Sequence, residues 1–288
     1  MTEWRGAPVA KALAEQLTLR VDVLKKKGVL PTLAVVRVGE REDDLSYERG
    51  LTKRFSSAGA AVRTVALPLS VSQEELEETV RILNGDDAIH GILVFSPLPK
   101  PLDGDRIRAL ISPRKDVDCM GDDNAFCVYA GHGKPGVPGY PPCTPQAVLE
   151  LLDFYGYDLT GKNVTVVGRS AIVGKPLAML LLQRNATVTI CHTRTKDLPA
   201  VCRSADLLVV CAGKAKLIGK DCVREGACVV DVGIHVIDGQ LCGDVDPAVA
   251  EHAELFALTP VPGGVGVVTT AVLLKHTVEA AETEENVS

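Results

Sequence analysis

Short apolar runs alternate along this chain with stretches in which apolar positions recur every three or four residues, the pattern of strands followed by amphipathic helices. Residues 8 to 27 predict a helix, with Val9, Leu13, Leu17 and Leu19 apolar and Gly28 closing it. The run Thr32 to Gly39 is nearly continuous in apolar and β-branched residues, as in strands buried on both faces of a parallel sheet. A helix over Asp44 to Ser57, a strand over Ala61 to Leu67, a helix from Gln73 to Asn84 and a strand within His90 to Pro99 continue the rhythm. Such alternation predicts βαβ units in a mostly parallel sheet.

From Ser112 to Pro145 the pattern breaks, and GHGKPGVPGYPPCTP is crowded with glycine and proline. That segment is expected to be irregular, either a linker or the wall of a site. A helix from Gln146 to Tyr155 precedes a second βα series, with strands at Ala186 to His192, Asp206 to Cys211 and Ala227 to Val232. Leu258 to Gly266 predicts a last short strand and a stiff loop, and Thr269 to Ala281 a closing helix before a frayed acidic end. The expected architecture is α/β in two lobes. Residues 1–142 with 272–288 form one domain, and 143–271 form a Rossmann-like domain on a parallel sheet.

The second series opens on NVTVVGRSAIVGKPLAM, Asn163 to Met179. A β-branched run stops at Gly168, Arg169 and Ser170 make a polar turn, Gly174 follows, and Pro176 lies in the first turn of a helix. Strand, glycine turn and helix bring backbone N–H groups and a helix N-terminus against a phosphate. Glycine is needed where a side chain would block the backbone's approach to a ligand. The two glycines are six residues apart, unlike the usual dinucleotide fingerprint, so a plain tight βα turn fits as well.

Composition narrows the field. With 288 residues, 46% of them hydrophobic, the chain can hold two well-cored domains. Its 31 basic and 37 acidic residues leave a charge of −6, which gives no broad attraction to nucleic acid or membrane. No apolar run approaches the roughly 18 residues of a membrane span, and the charged, amphipathic N-terminal stretch is unlike a secretory leader. Nine cysteines occur without a CxxC pair, and Cys191, Cys211 and Cys228 sit in strand-like runs as small hydrophobes. A reduced, cytoplasmic setting and no metal site are expected.

Six runs in order then resemble one family. They are KDVD (Lys115 to Asp118), PPCTP (Pro141 to Pro145), the long stretch Leu159 to Thr195, GACVVDVGI (Gly226 to Ile234), GDVD (Gly243 to Asp246) and TPVPGGVG (Thr259 to Gly266). The chain resembles the methylenetetrahydrofolate dehydrogenase/cyclohydrolases, the FolD family, over nearly its full length. The resemblance implies two α/β lobes, tetrahydrofolate derivatives as substrate, a dinucleotide on the second lobe, and a homodimer. Gly168, Arg169 and Ser170 would hold the dinucleotide, with Thr193, Ile234 and Thr269 as further contacts. Thr269 taken alone would be a helix N-cap. CHTRT carries no acidic residue for a ribose hydroxyl, so NADP is expected ahead of NAD. Tyr47 and Asp118 would face the pterin, with Asp116 competing for the carboxylate's role, and Pro262, Gly263 and Gly264 would pack against folate and nicotinamide.

Three positions depart from the family pattern. The resemblance implies serine, tyrosine and lysine on the second helix, with tyrosine and lysine one turn apart on one face. Aligned on Gly39 and Gly59, this chain has Asp44, Tyr47 and Leu51 there. Lys53 is turned about 200° from the tyrosine-lysine face position. Phe95 stands where the family has the glutamine that orients the lysine, and Cys119 where glycine usually follows KDVD. Hydride departure from the methylene bridge needs no proton transfer by a side chain, whereas hydrolysis of the methenyl product does. The sequence therefore predicts an NADP-dependent methylenetetrahydrofolate dehydrogenase with weak or absent cyclohydrolase activity. The alternatives are the ordinary bifunctional enzyme, a silent folate- or nucleotide-binding paralogue and, more remotely, a two-lobed dehydrogenase for an amino acid or a shikimate-type substrate.

Overall fold

The computed structural model of the chain describes residues 1–251 and 255–285. The elements follow in chain order as β1 (Thr2–Glu3), α1 (Gly6–Lys26), β2 (Thr32–Val38), α2 (Glu42–Ser57), β3 (Ala61–Leu67), α3 (Gln73–Gly85) and β4 (Gly91–Val94). Two short helices come next, α4 (Gly104–Leu110) and α5 (Asp122–Ala130), then α6 (Cys143–Phe154). The second series holds β5 (Asn163–Val167), α7 (Gly174–Gln183), β6 (Thr187–Cys191), α8 (Leu198–Arg203), β7 (Leu207–Val210) and β8 (Cys228–Asp231). A hairpin of β9 (His235–Ile237) and β10 (Gln240–Cys242), β11 (Ala257–Leu258) and α9 (Val265–Glu285) complete the described chain.

The chain divides into two compact units. One spans Ala12–Cys143 and the segment from Thr270; its sheet is parallel, in the order β3-β2-β4. Leu33, Ala34, Val35 and Val36 of β2 have no exposed surface, as a strand covered on both faces requires. Leu51 and Phe55, one turn apart on α2, are equally buried, each adding roughly 1.5–3 kcal/mol by leaving water. Ser72 and Glu75 form a reciprocal capping box at the start of α3, worth about 1 kcal/mol.

The other unit, Met1–Lys11 with Thr144–Thr269, carries a six-stranded sheet in the order β1-β11-β8-β7-β5-β6. All its pairings are parallel, the Rossmann-like arrangement expected from the alternation of strand and helix. The first eleven residues, expected in the first domain, group here because β1 pairs with β11. Trp4 follows β1, is buried, and stacks on Tyr155 with ring centroids 5.0 Å apart. The hairpin β9–β10 is antiparallel and has no counterpart in the predicted pattern.

Three other expectations are corrected. The segment 112–145 is not irregular throughout: α5 lies within it, after a turn whose N–H groups at Met120 and Gly121 are held by Asp116. The closing helix begins at Val265, not Thr269, after the turn at residues 261–263. Its acidic end is helical through Glu285, and Glu282 accepts two hydrogen bonds from Arg20 at 2.6 and 2.9 Å. The expectation for residues 286–288 falls outside the described residues.

His90 supplies a stability prediction. It is buried, and its Nδ1 accepts the Thr32 N–H at 3.2 Å. Burial first, and the Lys115 ammonium second, hold its pKa below the ordinary histidine value. The unfolded chain therefore takes up a proton near pH 6.5 that the native state refuses, so stability falls as pH drops through about 6.5. His90→Gln is expected to flatten that fall in thermal melts recorded between about pH 7.5 and 5.5. Asp231, raised to about 6 mainly by burial, acts in the opposite sense, so the wild-type-minus-variant difference isolates His90.

Candidate functional site

In the unit built on β3-β2-β4, α2 is fixed in rotation by Glu48. Its carboxylate accepts Arg37 Nε at 2.9 Å and the Thr64 hydroxyl at 2.7 Å. The next-door residue, Tyr47, is 42% exposed, and its ring lies 5.7 Å from that of Phe95. Leu51, one turn on, is wholly buried, and Lys53 is exposed. Burial, then the Asp118 carboxylate, then Cys143 raise the Tyr47 pKa above the usual phenol value. Tyr47 and Asp118 are thus close enough to influence one another, and the phenol stays protonated.

The two aspartates of KDVD separate cleanly. Lys115 anchors the turn by donating to the carbonyls of Leu83 (3.2 Å) and Asp86 (2.8 Å). Asp116 is buried and accepts from Met120 N (2.7 Å), Gly121 N (3.0 Å) and Asn124 Nδ2 (3.1 Å). It ties the turn before α5 to Asn124 on that helix. Asp118 Oδ1 accepts the Cys143 N–H at 2.9 Å; burial raises its pKa and that bond partly offsets the rise. Between them the Val117 carbonyl lies 2.8 Å from His276 Nδ1, which places a proton on that nitrogen. Cys119 has φ +54°, a left-handed backbone that favours glycine and costs a side chain on the order of 1–2 kcal/mol.

In the Rossmann-like unit β5 and β6 run parallel with Val167 opposite Cys191. Gly168–Ser170 and Thr193 therefore leave the sheet at the same end. Gly168 has φ +141°, and a Cβ there would stand 2.3 Å from the Cys211 carbonyl oxygen; one on Gly174 would stand 2.3 Å from the Gly168 oxygen. The chain's own packing demands both glycines, where the sequence pointed to a ligand's approach. The Ser170 hydroxyl accepts from Val173 N (3.1 Å) and Gly174 N (3.3 Å), closing the turn into α7. Arg169, Thr193 and Arg194 are exposed, and the first acidic residue beyond β6, Asp197, caps α8 by accepting Ala200 N.

Farther along the same sheet, Ile234 is 61% exposed and lines a cavity of about 150 Å³ together with Pro262, Gly263 and Gly264. Gly264 is tightly enclosed, because a Cβ there would lie 2.6 Å from the Pro260 oxygen. Thr269 lies inside α9 and donates to the Gly266 carbonyl at 3.0 Å, so it is not an N-cap. Sequence reasoning missed the two carboxylates Asp231 and Asp244, which join the loops behind this cavity. GACVVDVGI and GDVD were visible as motifs, but only the β9–β10 hairpin brings their aspartates together.

A dinucleotide fits these residues by the chemistry of its donors. Arg169 and Arg194 are exposed guanidinium groups with no acidic partner among the described residues, at the carboxyl ends of parallel strands where such ligands bind. No helix of the described chain is long and apolar enough to cross a membrane.

Comparison with known proteins agrees with both halves of this picture. Residues 4–118 match the tetrahydrofolate dehydrogenase/cyclohydrolase catalytic domain, and residues 142–285 its NAD(P)-binding domain. The bifunctional protein FolD of Clostridioides difficile is 47% identical over 284 residues, covering 98% of this chain and 97% of that one. Among solved structures, the bifunctional enzyme FolD of Campylobacter jejuni superposes with a TM-score of 0.94 at 39% identity, covering 99% of both chains. The FolD of Trypanosoma brucei, solved with NADP and an inhibitor, gives 0.90 at 36% identity, covering 99% of this chain and 98% of that one. The chain belongs to the tetrahydrofolate dehydrogenase/cyclohydrolase family, and its second unit is that family's NAD(P)-binding domain.

Proposed function

We propose that this chain oxidises 5,10-methylenetetrahydrofolate to 5,10-methenyltetrahydrofolate with NADP, and that its hydrolysis of the methenyl product is weak or absent. The observation that carries the second half is Leu51, wholly buried one turn after Tyr47, at the position where the family resemblance implies lysine. Bound dinucleotide supplies the hydride acceptor; the chain supplies orientation and electrostatics. Tyr47, kept protonated, and Asp118, an acceptor held by the Cys143 N–H, would orient the pterin. Neither Leu51 nor Phe95 can carry a proton to or from an attacking water. Replacing both partners of a polar pair by apolar groups leaves no stranded polar atom, so the change is internally coherent. Arg169 with Thr193 and Arg194 would read a ribose 2′-phosphate, which favours NADP over NAD. A cytoplasmic homodimer and the domain limits given above belong to the same reading.

The bifunctional enzyme is the second reading, and the names of the relatives favour it: the C. difficile and C. jejuni proteins are both called bifunctional. A single assay separates the two. Purified protein with methylenetetrahydrofolate and NADP is followed by reduced-cofactor and methenyl absorbance beside a buffer control. Methenyl product that decays at the control rate supports the single activity; decay accelerated by protein overturns it; and no reduced cofactor at all favours a silent paralogue. Leu51→Lys with Phe95→Gln is expected to restore partial hydrolysis at best, since an ammonium at a wholly buried site needs a matching polar shell.

A further inference from the structure

Asp244 is a wholly buried carboxylate with every contact directed at the loops of the dinucleotide-binding unit. Its Oδ2 accepts the N–H groups of Ala212 (2.6 Å) and Gly213 (2.9 Å), which follow β7. Its Oδ1 lies 2.7 Å from His235 Nε2, at the start of β9. Its own N–H donates to Asp231 Oδ1 at 3.0 Å, and Asp231 also accepts Gly233 N and Val245 N, each at 2.9 Å. The space for this lacing is made by two missing side chains: a Cβ on Gly233 would stand 2.4 Å from Asp244 Cγ, and one on Gly243 1.9 Å from Asp231 Oδ2. Burying two carboxylates side by side is costly unless hydrogen bonds repay it.

What the lacing fixes is a pair of loops at the carboxyl ends of β7 and β8, the edge at which parallel α/β sheets bind ligands. Ile234 sits between Gly233 and His235, both held by these aspartates, and its exposed side chain forms one wall of the 150 Å³ cavity facing the Pro262–Gly264 loop. We propose that Asp244 is a positioning residue for the nicotinamide half of the dinucleotide: it locks the loop after β7 to His235 and so sets the Ile234 wall before cofactor arrives. Arg169, Thr193 and Arg194, which would take the adenosine half, follow β5 and β6 and share none of these hydrogen bonds. The assignment rests on the dinucleotide reading above and adds to it a division of labour along one sheet edge.

The test compares two ligands on three proteins by calorimetric titration: oxidised NADP and adenosine 2′,5′-bisphosphate, which lacks the nicotinamide half, on wild type, Asp244→Asn and His235→Gln. Each lost hydrogen bond to the carboxylate is expected to weaken NADP about tenfold or more. The bisphosphate should bind all three proteins within twofold, and the KM for the folate should stay level while that for NADP rises. Equal weakening of both ligands would reduce Asp244 to general structural support and overturn the proposal, as would unchanged NADP affinity in both variants. Wild-type protein that binds neither ligand would overturn the dinucleotide reading itself, and this proposal with it. Asp244→Asn keeps an oxygen for the two loop N–H groups, and His235→Gln leaves the buried carboxylate in place, so the two variants disturb the lock from opposite sides without opening a cavity.

Discussion

Alanine at Gly168 is expected to destabilise the chain by about 3 kcal/mol or more and to abolish dinucleotide binding. The new Cβ would stand 2.3 Å from the Cys211 carbonyl oxygen and 2.8 Å from its carbon and sulfur, in a backbone held at φ +141°. Neither neighbour can retreat. Gly168 N donates to Cys191 O at 2.9 Å and Cys211 N to Val167 O at 2.8 Å, so the turn is tied to the strands on both sides of β5. Gly50 provides the contrast: it lies in α2 with nothing within 4 Å of an added Cβ, and alanine there should stabilise by roughly 0.5–1 kcal/mol. Urea unfolding of both variants checks the pair. A Gly168→Ala protein with wild-type stability would mean that the β5 turn can open far more easily than its hydrogen bonds indicate.

Asp118→Ala should lower kcat/KM for methylenetetrahydrofolate by about 10²–10³-fold while leaving NADP affinity unchanged. A charged acceptor in a desolvated site is worth about 1.5–3 kcal/mol for each bond it accepts, and a substrate whose donors lose it is left with unpaired groups. Asp116→Ala should behave differently, lowering stability by leaving the Met120 and Gly121 N–H groups and the Asn124 amide without their buried acceptor, with the folate KM less affected. Steady-state kinetics on the two variants, with thermal melts alongside, distinguishes the roles. Equal kinetic damage from both would return the two aspartates of KDVD to the ambiguity they have in the sequence.

That ambiguity shows where sequence legibility stopped. The central strands could be placed because they are buried on both faces, which writes a continuous apolar run into the chain; Leu33 to Val36 and Leu207 to Val210 are of this kind, whereas the two-residue, exposed β1 leaves no such mark. The helix α5 could not be placed either, since Asp122–Ala130 is short, has little apolar periodicity and carries no side-chain cap at its start. The glycines of the β5 turn were visible but their reason was not, because the oxygen that excludes a side chain at Gly168 belongs to Cys211, two strands later in sequence. Asp244 was hidden for a related reason: its carboxylate meets the N–H groups of Ala212 and Gly213, 32 and 31 residues earlier, and a ring nitrogen of His235 across the hairpin. By contrast Leu51 needed only helical spacing and the family pattern to stand out, and its complete burial agrees with an apolar residue belonging there.

Trp4 is the chain's one tryptophan. It is sealed from water, stacks parallel to Tyr155 with 4° between the ring planes, and has Tyr157 and Phe256 set edge-on. All four rings belong to the Rossmann-like unit. Indole emission, excited at wavelengths that tyrosine does not absorb, is therefore a spectroscopic reporter for that unit alone. A denaturation curve read by fluorescence follows one half of the protein, and the gap between it and a curve read by far-ultraviolet circular dichroism measures how far the two halves melt as one.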